Sequence, residues 1–85
     1  MPGDAPSASD LELLQGIASG SEEAFRVFYH RWSPRLGPFL LRATGSREVA
    51  EDLLQEAFLR MLRAAPSYEP RGSVRAWIYR ICTNL

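Results

Sequence analysis

Apolar residues recur every three or four positions along most of the chain, which is the spacing of amphipathic α-helices. The first such segment contains Leu11, Leu14, Ile17 and Ala18. Ser9 and Glu12 precede and enter it at the spacing of a capping box. Gly20 is expected to end this helix, and Ser21 to cap the next one. No segment alternates as a β-strand does, so the pattern predicts an all-α fold.

The second helical segment carries two prolines. Its apolar face begins with Ala24, Phe25, Phe28 and Trp32 and resumes at Phe39, Leu40 and Leu41. A proline inside a helix removes a backbone donor and crowds the preceding turn. Pro34 or Pro38 is therefore expected to kink this helix or to divide it into two. The turn formers Thr44, Gly45 and Ser46 then lead into a third helix.

The third segment, from about Arg47 to Ala65, has the longest apolar stripe. Its members are Val49, Ala50, Leu53, Leu54, Ala57, Phe58, Met61 and Leu62. Pro66 is expected to end it, and Ser73 to cap a fourth helix. The residues that this fourth helix is expected to turn inward are Val74, Trp77, Ile78, Ile81 and Leu85. The sequence thus predicts one compact bundle of about four helices over residues 9–85, after a disordered tail over residues 1–8.

Charge is strongly segregated, although the 85 residues have a formal net charge of zero. Residues 1–25 contain five acidic and no basic side chains, and residues 26–47 contain five basic and no acidic ones. Residues 48–59 contain four acidic side chains, and residues 60–85 contain five basic ones and a single acidic one. This alternation fits separate acidic and basic surfaces, and it also fits the solvated faces of amphipathic helices.

Catalytic and metal-binding patterns do not occur in the sequence. His30 is the single histidine, Cys82 is the single cysteine, and no glycine-rich phosphate loop is present. We therefore expect no catalytic residues, no metal, no cofactor and no enzymatic activity. One cysteine, the absence of a signal-peptide pattern and the lack of any apolar run near 20 residues predict a cytoplasmic protein without a membrane partner.

The face of the third helix opposite its apolar stripe has an unusual composition. Its residues are Asp52, Gln55, Glu56, Leu59 and Arg63, at i, i+3, i+4, i+7 and i+11. One interpretation is a solvated face that tolerates a leucine. The other is a docking surface whose apolar centre is rimmed by polar groups and suits a helical partner carrying Arg or Lys.

Arginines, tyrosines and an amide are interleaved in the last loop and helix. The residues concerned are Tyr68, Arg71, Arg75, Tyr79, Arg80 and Asn84. Stacking rings and guanidinium groups suit single-stranded nucleic acid. The aromatic residues can equally be core and boundary residues, and Trp77 is interpreted as core. DNA, RNA and an acidic protein all remain open as partners of this surface.

Three motifs in order make the chain recognisable. They are Gly-Ser-Glu-Glu-Ala-Phe at 20–25, Ala-Glu-Asp-Leu-Leu-Gln-Glu-Ala-Phe at 50–58 and Trp-Ile-Tyr-Arg-Ile-Cys-Thr-Asn at 77–84. Together they resemble region 2 of bacterial extracytoplasmic-function (ECF) sigma factors, and the similarity extends from about Ser9 to Leu85. The resemblance implies a transcription-initiation domain whose partners are the RNA polymerase core and promoter DNA, with an anti-sigma factor as a further possible partner.

The same resemblance implies roles for individual residues. Docking on the clamp helices of the polymerase β′ subunit would involve Asp52, Leu53, Gln55, Glu56 and Leu59. Recognition and melting of the promoter −10 element would place its non-template strand on Tyr68, Arg71, Arg75, Tyr79, Arg80 and Asn84. Tyr68 and Asn84 would line the pocket of a flipped base, and Arg71, Arg75 and Arg80 would lie near the backbone. RNA synthesis itself would belong to the polymerase.

Family members normally continue into a second, helix-turn-helix domain, which this chain lacks. No helix-stop signal precedes Leu85, so the chain is expected to be a fragment of a longer protein. The main alternative function is a helical module that binds polymerase or anti-sigma without direct DNA contact. An RNA-binding helical domain is a third possibility, supported by the arginine–aromatic surface alone.

Overall fold

The computed structural model describes residues 8–85, and this range contains four α-helices and one 3₁₀ turn. The helices are α1 (Asp10–Ala18), α2 (Glu22–Thr44), α3 (Arg47–Ala64) and α4 (Val74–Thr83), and the 3₁₀ turn is Ala65–Ser67. The prediction of an all-α bundle of about four helices is confirmed. The tail predicted over residues 1–8 lies outside the described residues, except for Ala8, which is exposed and precedes α1.

A serine caps the N-terminus of every α-helix in the described range. The capping box before α1 is complete: Ser9 N donates to Glu12 Oε1 at 2.8 Å, and Glu12 N donates to Ser9 Oγ at 3.1 Å. The remaining caps are Ser21, Ser46 and Ser73. Each Oγ accepts one of the backbone N–H groups that have no partner within the helix. The helix starts are therefore encoded locally: the caps at Ser9, Ser21 and Ser73 were predicted, and Ser46, predicted as part of a turn, also caps a helix.

The two prolines do not divide α2, which runs unbroken for 23 residues. Pro34 cannot donate to the carbonyl of His30, and Pro38 cannot donate to that of Pro34. All three residues are exposed, so these carbonyl groups lie on the solvent side of the helix. Water can satisfy them there, and the buried side of α2 keeps its hydrogen bonds. The two-helix alternative was wrong for this reason.

The core is built around α2, which packs against both α1 and α3. Phe28, Leu36 and Ile78 are fully buried. The Phe58 ring meets Phe28 edge-on at 6.3 Å between centroids, and it meets Phe25 in the same way at 6.2 Å. Such pairs contribute packing specificity beyond the buried area. The core thus joins the inner face of α3 to α2, and α4 closes it with Val74, Ile78 and Cys82.

Two members of the predicted α3 stripe are exposed. Val49 is 46% exposed and Leu62 is 41% exposed. They lie at the two edges of the stripe, which is wider than the surface that the neighbouring helices cover. On α4 the predicted inward residues divide in a similar way: Val74 and Ile78 are buried, whereas Trp77, Ile81 and Leu85 are half-buried. These partly exposed residues adjoin the surfaces described below.

Asp10 ties α1 to the middle of α2. Its Oδ1 accepts a hydrogen bond from Arg31 Nη1 at 3.0 Å and another from Trp32 Nε1 at 2.9 Å. The indole N–H of a buried tryptophan needs such a partner, because leaving it unpaired would be costly. Arg31 is therefore engaged in an ion pair that joins α1 to α2, and its role is structural.

Candidate docking and nucleic-acid surfaces

The outer face of α3 presents an apolar residue among polar ones. Asp52 and Gln55 are exposed, and Leu59 is 45% exposed one turn further along the helix. Leu53 is half-buried and packs against the core, so it stands at the boundary between core and surface. We call Asp52, Gln55 and Leu59 the docking face. Its geometry follows from helical periodicity alone, because all three side chains come from one helix.

Glu56 differs from its neighbours on α3 because its carboxylate is engaged. Its Oε2 accepts from Arg60 Nε at 3.0 Å. Arg60 Nη1 in turn reaches the backbone carbonyl of Asn84 at 3.4 Å. Both side chains are more than one-third exposed, so the ion pair itself contributes little stability. The pair matters for position, because through Arg60 it connects α3 to Asn84, the C-cap residue of α4.

A cleft of about 350 Å³ lies between α4 and the loop that precedes it. Tyr68, Arg71, Trp77 and Arg80 are among the residues that line it, and we call it the loop cleft. The rings of Tyr68 and Trp77 meet edge-on, with centroids 5.2 Å apart and an interplanar angle of 78°. The half-buried aromatic pair therefore forms a rigid apolar wall, and the two arginines supply positive charge.

The backbone of the loop explains how Tyr68 reaches this position. Tyr68 N donates to Ala65 O at 3.1 Å, which closes the 3₁₀ turn and ends the α3 segment. Gly72 has a φ of 77°, a left-handed conformation that other residues adopt only with strain, and it directs the chain into the Ser73 cap. Arg71 pairs with Glu69 at 3.0 Å, but the two side chains are 85% and 67% exposed, so solvent screens this pair.

A second, more open cleft of about 500 Å³ lies where α4 crosses the end of α2. Phe39, Arg42, Arg75 and Tyr79 contribute to its lining, and we call it the α2–α4 cleft. The guanidinium carbon of Arg75 stands 5.2 Å from the centroid of the Tyr79 ring. That ring meets Phe39 edge-on at 5.1 Å. Aromatic carbon thus holds an arginine at the surface without a carboxylate counter-ion.

The structure distributes the six residues predicted for nucleic acid over three places. Tyr68, Arg71 and Arg80 line the loop cleft. Arg75 and Tyr79 line the α2–α4 cleft. Asn84 borders neither cleft and is exposed at the C-cap of α4, although the i, i+3, i+7 spacing puts it on the face of Trp77 and Arg80.

Sequence reasoning missed three of the aromatic and basic residues that line the two clefts. Helical periodicity assigns Trp77 to the core, yet it is half-buried and lines the loop cleft. Its position three residues before Arg80 on one helix was an available signal. Phe39 and Arg42 line the α2–α4 cleft. No local pattern connects these two α2 residues with α4, because the whole of α3 separates α2 from α4 in the sequence.

The remaining reactive groups are placed as packing or surface residues. Burial raises the pKa of the Cys82 thiol, which keeps the sulfur protonated and poorly nucleophilic. His30 is exposed beside Tyr29. Within residues 8–85 no three His, Cys, Asp or Glu side chains come together as a metal site would need. Across the same range, no helix has the length and hydropathy needed to span a bilayer.

Comparison with known protein families identifies the family to which this chain belongs. Residues 28–85, more than half of the chain, match the family Sigma-70 region 2. The chain belongs to the sigma-70 region 2 family. Together with the ECF relative described next, this match confirms the resemblance to region 2 of ECF sigma factors. The motif at residues 50–58 lies on α3 of this sigma domain, and the motif at residues 77–84 comprises the last seven residues of α4 and its C-cap.

Individual relatives agree with the family assignment. The sigma domain is 34% identical over 71 residues to the RNA polymerase sigma factor CarQ of Myxococcus xanthus, covering 84% of this chain and 41% of the relative. It is 32% identical over 83 residues to the ECF RNA polymerase sigma factor BldN of Streptomyces coelicolor, covering 96% of this chain and 31% of the relative. The chain therefore spans less than half the length of these curated relatives.

A solved structure shares the fold. The NMR structure of an engineered region 2 of sigmaE in complex with GTAAAA superposes with a TM-score of 0.80 at 27% sequence identity. The match covers 91% of this chain and 80% of that one. The helices of this sigma domain are thus arranged as in a region 2 that was solved with a bound oligonucleotide.

Proposed function

We propose that this sigma region 2 domain, comprising residues 9–85, acts in transcription initiation. It docks on the clamp helices of the RNA polymerase β′ subunit, and it recognises and melts the promoter −10 element by binding the non-template strand. The observation that carries the proposal is the loop cleft, where an aromatic pair and two guanidinium groups meet on one side of the domain. The GTAAAA complex of the sigmaE neighbour supports a nucleic-acid ligand for this fold.

The loop cleft suits an unstacked base better than a duplex. The faces and edges of Tyr68 and Trp77 offer apolar contact, and Arg71 and Arg80 offer charge to the flanking phosphates. Base edges that are hidden in a duplex can be read in such a cleft only after the base has left the stack. Because the cleft binds the extruded state and not the duplex, binding shifts the equilibrium towards an open strand without any chemical energy source.

The docking face suits a helical protein partner. Leu59 gives an apolar centre, and Asp52 and Gln55 give a polar, acidic rim. A partner helix with arginine or lysine around an apolar contact would complement this arrangement. RNA synthesis belongs to the polymerase, so this domain contributes binding and no chemical step. The proposed partners place it in the cytoplasm, where an anti-sigma factor that covered the same surfaces would inhibit it.

Replacement of Asn84 by Ala tests whether the side-chain amide of Asn84 recognises a base of the DNA strand. Its exposed amide stands one turn beyond Arg80, at the end of the α4 face that borders the loop cleft. Loss of an amide that reads a base costs about 1–3 kcal/mol of discrimination. We expect the preference for GTAAAA over a permuted hexamer to fall about tenfold, with little change in affinity for the permuted strand. Fluorescence anisotropy with the 85-residue chain measures both affinities.

Thr83→Ala is the matched control, because Thr83 is the exposed neighbour whose Oγ1 bonds only to the Arg80 carbonyl. It should leave the preference unchanged. Equal weakening of both hexamers by Asn84→Ala would show that Asn84 does not read a base. Binding of the wild-type chain to β′ clamp helices without binding to either hexamer, alone or with the clamp helices present, would favour the protein-interaction module over the DNA-binding function.

A further inference from the structure

Three arginines surround an aromatic cluster where α2 meets α4. We call this group the arginine–aromatic cluster; it consists of Arg35, Arg42 and Arg75 with Trp32, Phe39 and Tyr79. All three arginines are exposed. Among residues 8–85, none of them has a carboxylate within 4.0 Å, whereas Arg26, Arg31, Arg60 and Arg71 each pair with one. Internal ion pairing therefore does not account for the cluster.

The rings of the cluster are in mutual contact and hold two of the cations. Trp32 and Tyr79 meet edge-on with centroids 6.3 Å apart. Arg35 lies over Trp32 at 5.3 Å, and Arg75 lies over Tyr79 at 5.2 Å. Cation–π contact restricts the side chains without neutralising them. Less conformational entropy is then lost when an anion binds, so the cluster is better prepared for a ligand than freely rotating surface arginines are.

Arg42 extends the cluster along α2. It follows Arg35 by seven residues, two helical turns, so both side chains lie on the same side of the helix. Arg42 and Arg75 both line the α2–α4 cleft. Arg35 adjoins this cleft through Trp32, whose ring meets Tyr79 edge-on. Each guanidinium is a planar fork of donors that matches phosphate oxygens.

The position of the cluster indicates which anion it meets. Ser73 and Ala76, in the cap and first turn of α4, line both the loop cleft and the α2–α4 cleft. A strand whose base occupies the loop cleft can therefore continue over this turn directly into the α2–α4 cleft. The backbone N–H groups of a helix N-terminus add positive potential along the way.

We propose that Arg35 and Arg42, together with Arg75, bind the phosphate backbone of the DNA that leaves the loop cleft, which makes α2 a second DNA-contacting helix. This inference rests on the proposed function, since it extends the path of the same strand. It also gives a role to part of the basic block at residues 26–47. These contacts are independent of sequence, because they reach phosphate and not base edges.

The test is the double variant Arg35→Gln/Arg42→Gln. Its affinity is measured, as a function of salt concentration, for a single strand in which GTAAAA carries six thymidines at each end. Removing one arginine that binds a single-strand phosphate lowers the dependence of log K on log salt by about 0.7, which is about a fivefold weaker affinity at 0.1 M salt. We expect the double variant to bind on the order of 20-fold more weakly, with unchanged preference over a permuted core. Arg35→Lys/Arg42→Lys should keep most of the salt dependence, because the charges remain.

Arg26→Gln/Arg47→Gln is the control, because it changes the net charge equally and neither arginine lines the loop cleft or the α2–α4 cleft or lies over a ring of the cluster. Wild-type preference for GTAAAA with equal salt slopes for the test and control variants would overturn the inference and leave the proposed function intact. No binding of either DNA by the wild type would overturn both. Weaker binding of polyglutamate, but not of DNA, by the Gln double variant would assign the cluster to an acidic polypeptide and overturn the inference as well.

Discussion

The docking face and the loop cleft are built in different ways. The docking face takes all its side chains from α3, so its shape is set once that helix forms. The loop cleft combines a 3₁₀ turn, a glycine in left-handed conformation and the first two turns of α4. A helical face tolerates small shifts of its neighbours. A cleft made of three segments exists only when all of them are packed.

This difference has an energetic consequence. Exposed side chains on α3 can change with little effect on folding, because they touch few other groups. Tyr68 and Trp77 are half-buried and pack against the core as well as against each other. Substitutions in the loop cleft are therefore expected to alter stability and binding together, whereas those on the docking face should separate the two.

The largest effect is expected from Phe58→Ala, because the docking face and the loop cleft both depend on the core around this residue. Phe58 is 3% exposed and contacts the rings of Phe25, Phe28 and Tyr29 from the inner side of α3. Removal of a buried phenyl ring costs about 3–5 kcal/mol of unfolding free energy. For a chain of 85 residues that is a large part of the total, so both surfaces should be lost. Urea denaturation followed by circular dichroism gives the value, and a loss below about 1 kcal/mol would contradict the described core.

Tyr68→Ala should produce the next largest effect, and it acts on the loop cleft. Stacking on an aromatic side chain contributes about 1–3 kcal/mol per base. We expect GTAAAA to bind roughly 5- to 150-fold more weakly, while affinity for β′ clamp helices stays within about twofold. Tyr68→Phe keeps the ring and its contact with Trp77, so it should retain most of the affinity. If the phenylalanine variant were as weak as the alanine variant, the hydroxyl and not the ring would be the binding group.

The same contrast explains which features could be predicted. Periodicity and cap chemistry were enough to predict the helices, the caps of α1, α2 and α4, and the shared face of Asp52, Gln55 and Leu59, because these features depend on neighbours within four residues. The loop cleft depends on contacts between segments. Periodicity marked Trp77 as a core residue, and it could not show that its indole meets Tyr68 edge-on and lines the loop cleft. Phe39 and Arg42 lie beside α4 only because α2 and α4 pack together in the folded domain.

The prolines show where a local rule fails, because the predicted division of α2 did not occur. Local rules predicted a kink or a break at Pro34 or Pro38, because a proline removes a helical hydrogen bond. The outcome depended on which side of α2 faces solvent, and that is decided by how Trp32, Leu36 and Leu40 are buried. Local chemistry identifies the lost hydrogen bond, but only tertiary packing decides whether water can replace it.

Leu59→Ala should weaken docking while leaving the loop cleft unaffected. An apolar residue at the centre of an interface contributes about 1–2 kcal/mol, so affinity for isolated β′ clamp helices should fall roughly 5- to 30-fold. Leu41→Ala is the matched control, because Leu41 on α2 is 39% exposed and Leu59 is 45% exposed. Calorimetric titration gives both affinities. If the two variants were equally weak, the effect would be non-specific and the docking face would be misplaced.

The smallest expected effects come from two equivalent serine caps. Ser46 begins the docking helix and accepts from Val49 N at 3.2 Å, and Ser73 begins α4 between the two clefts and accepts from Ala76 N at 3.0 Å. Replacement of either by Ala should cost about 1 kcal/mol of unfolding free energy, because one helical N–H loses its acceptor. For a domain of this size the melting temperature should fall by about 4–8 °C, which scanning calorimetry can measure.

Their effects on binding should differ, although their effects on stability match. Ser73→Ala loosens the turn over which the strand is proposed to pass, so the affinity for GTAAAA should fall by a factor of about two to five, the equivalent of a partly lost cap. Ser46→Ala should leave that affinity unchanged, because neither Ser46 nor any other residue of α3 lines the loop cleft or the α2–α4 cleft. If both variants weakened DNA binding in proportion to the loss of stability, the cleft would depend on the global fold and not on its own three segments.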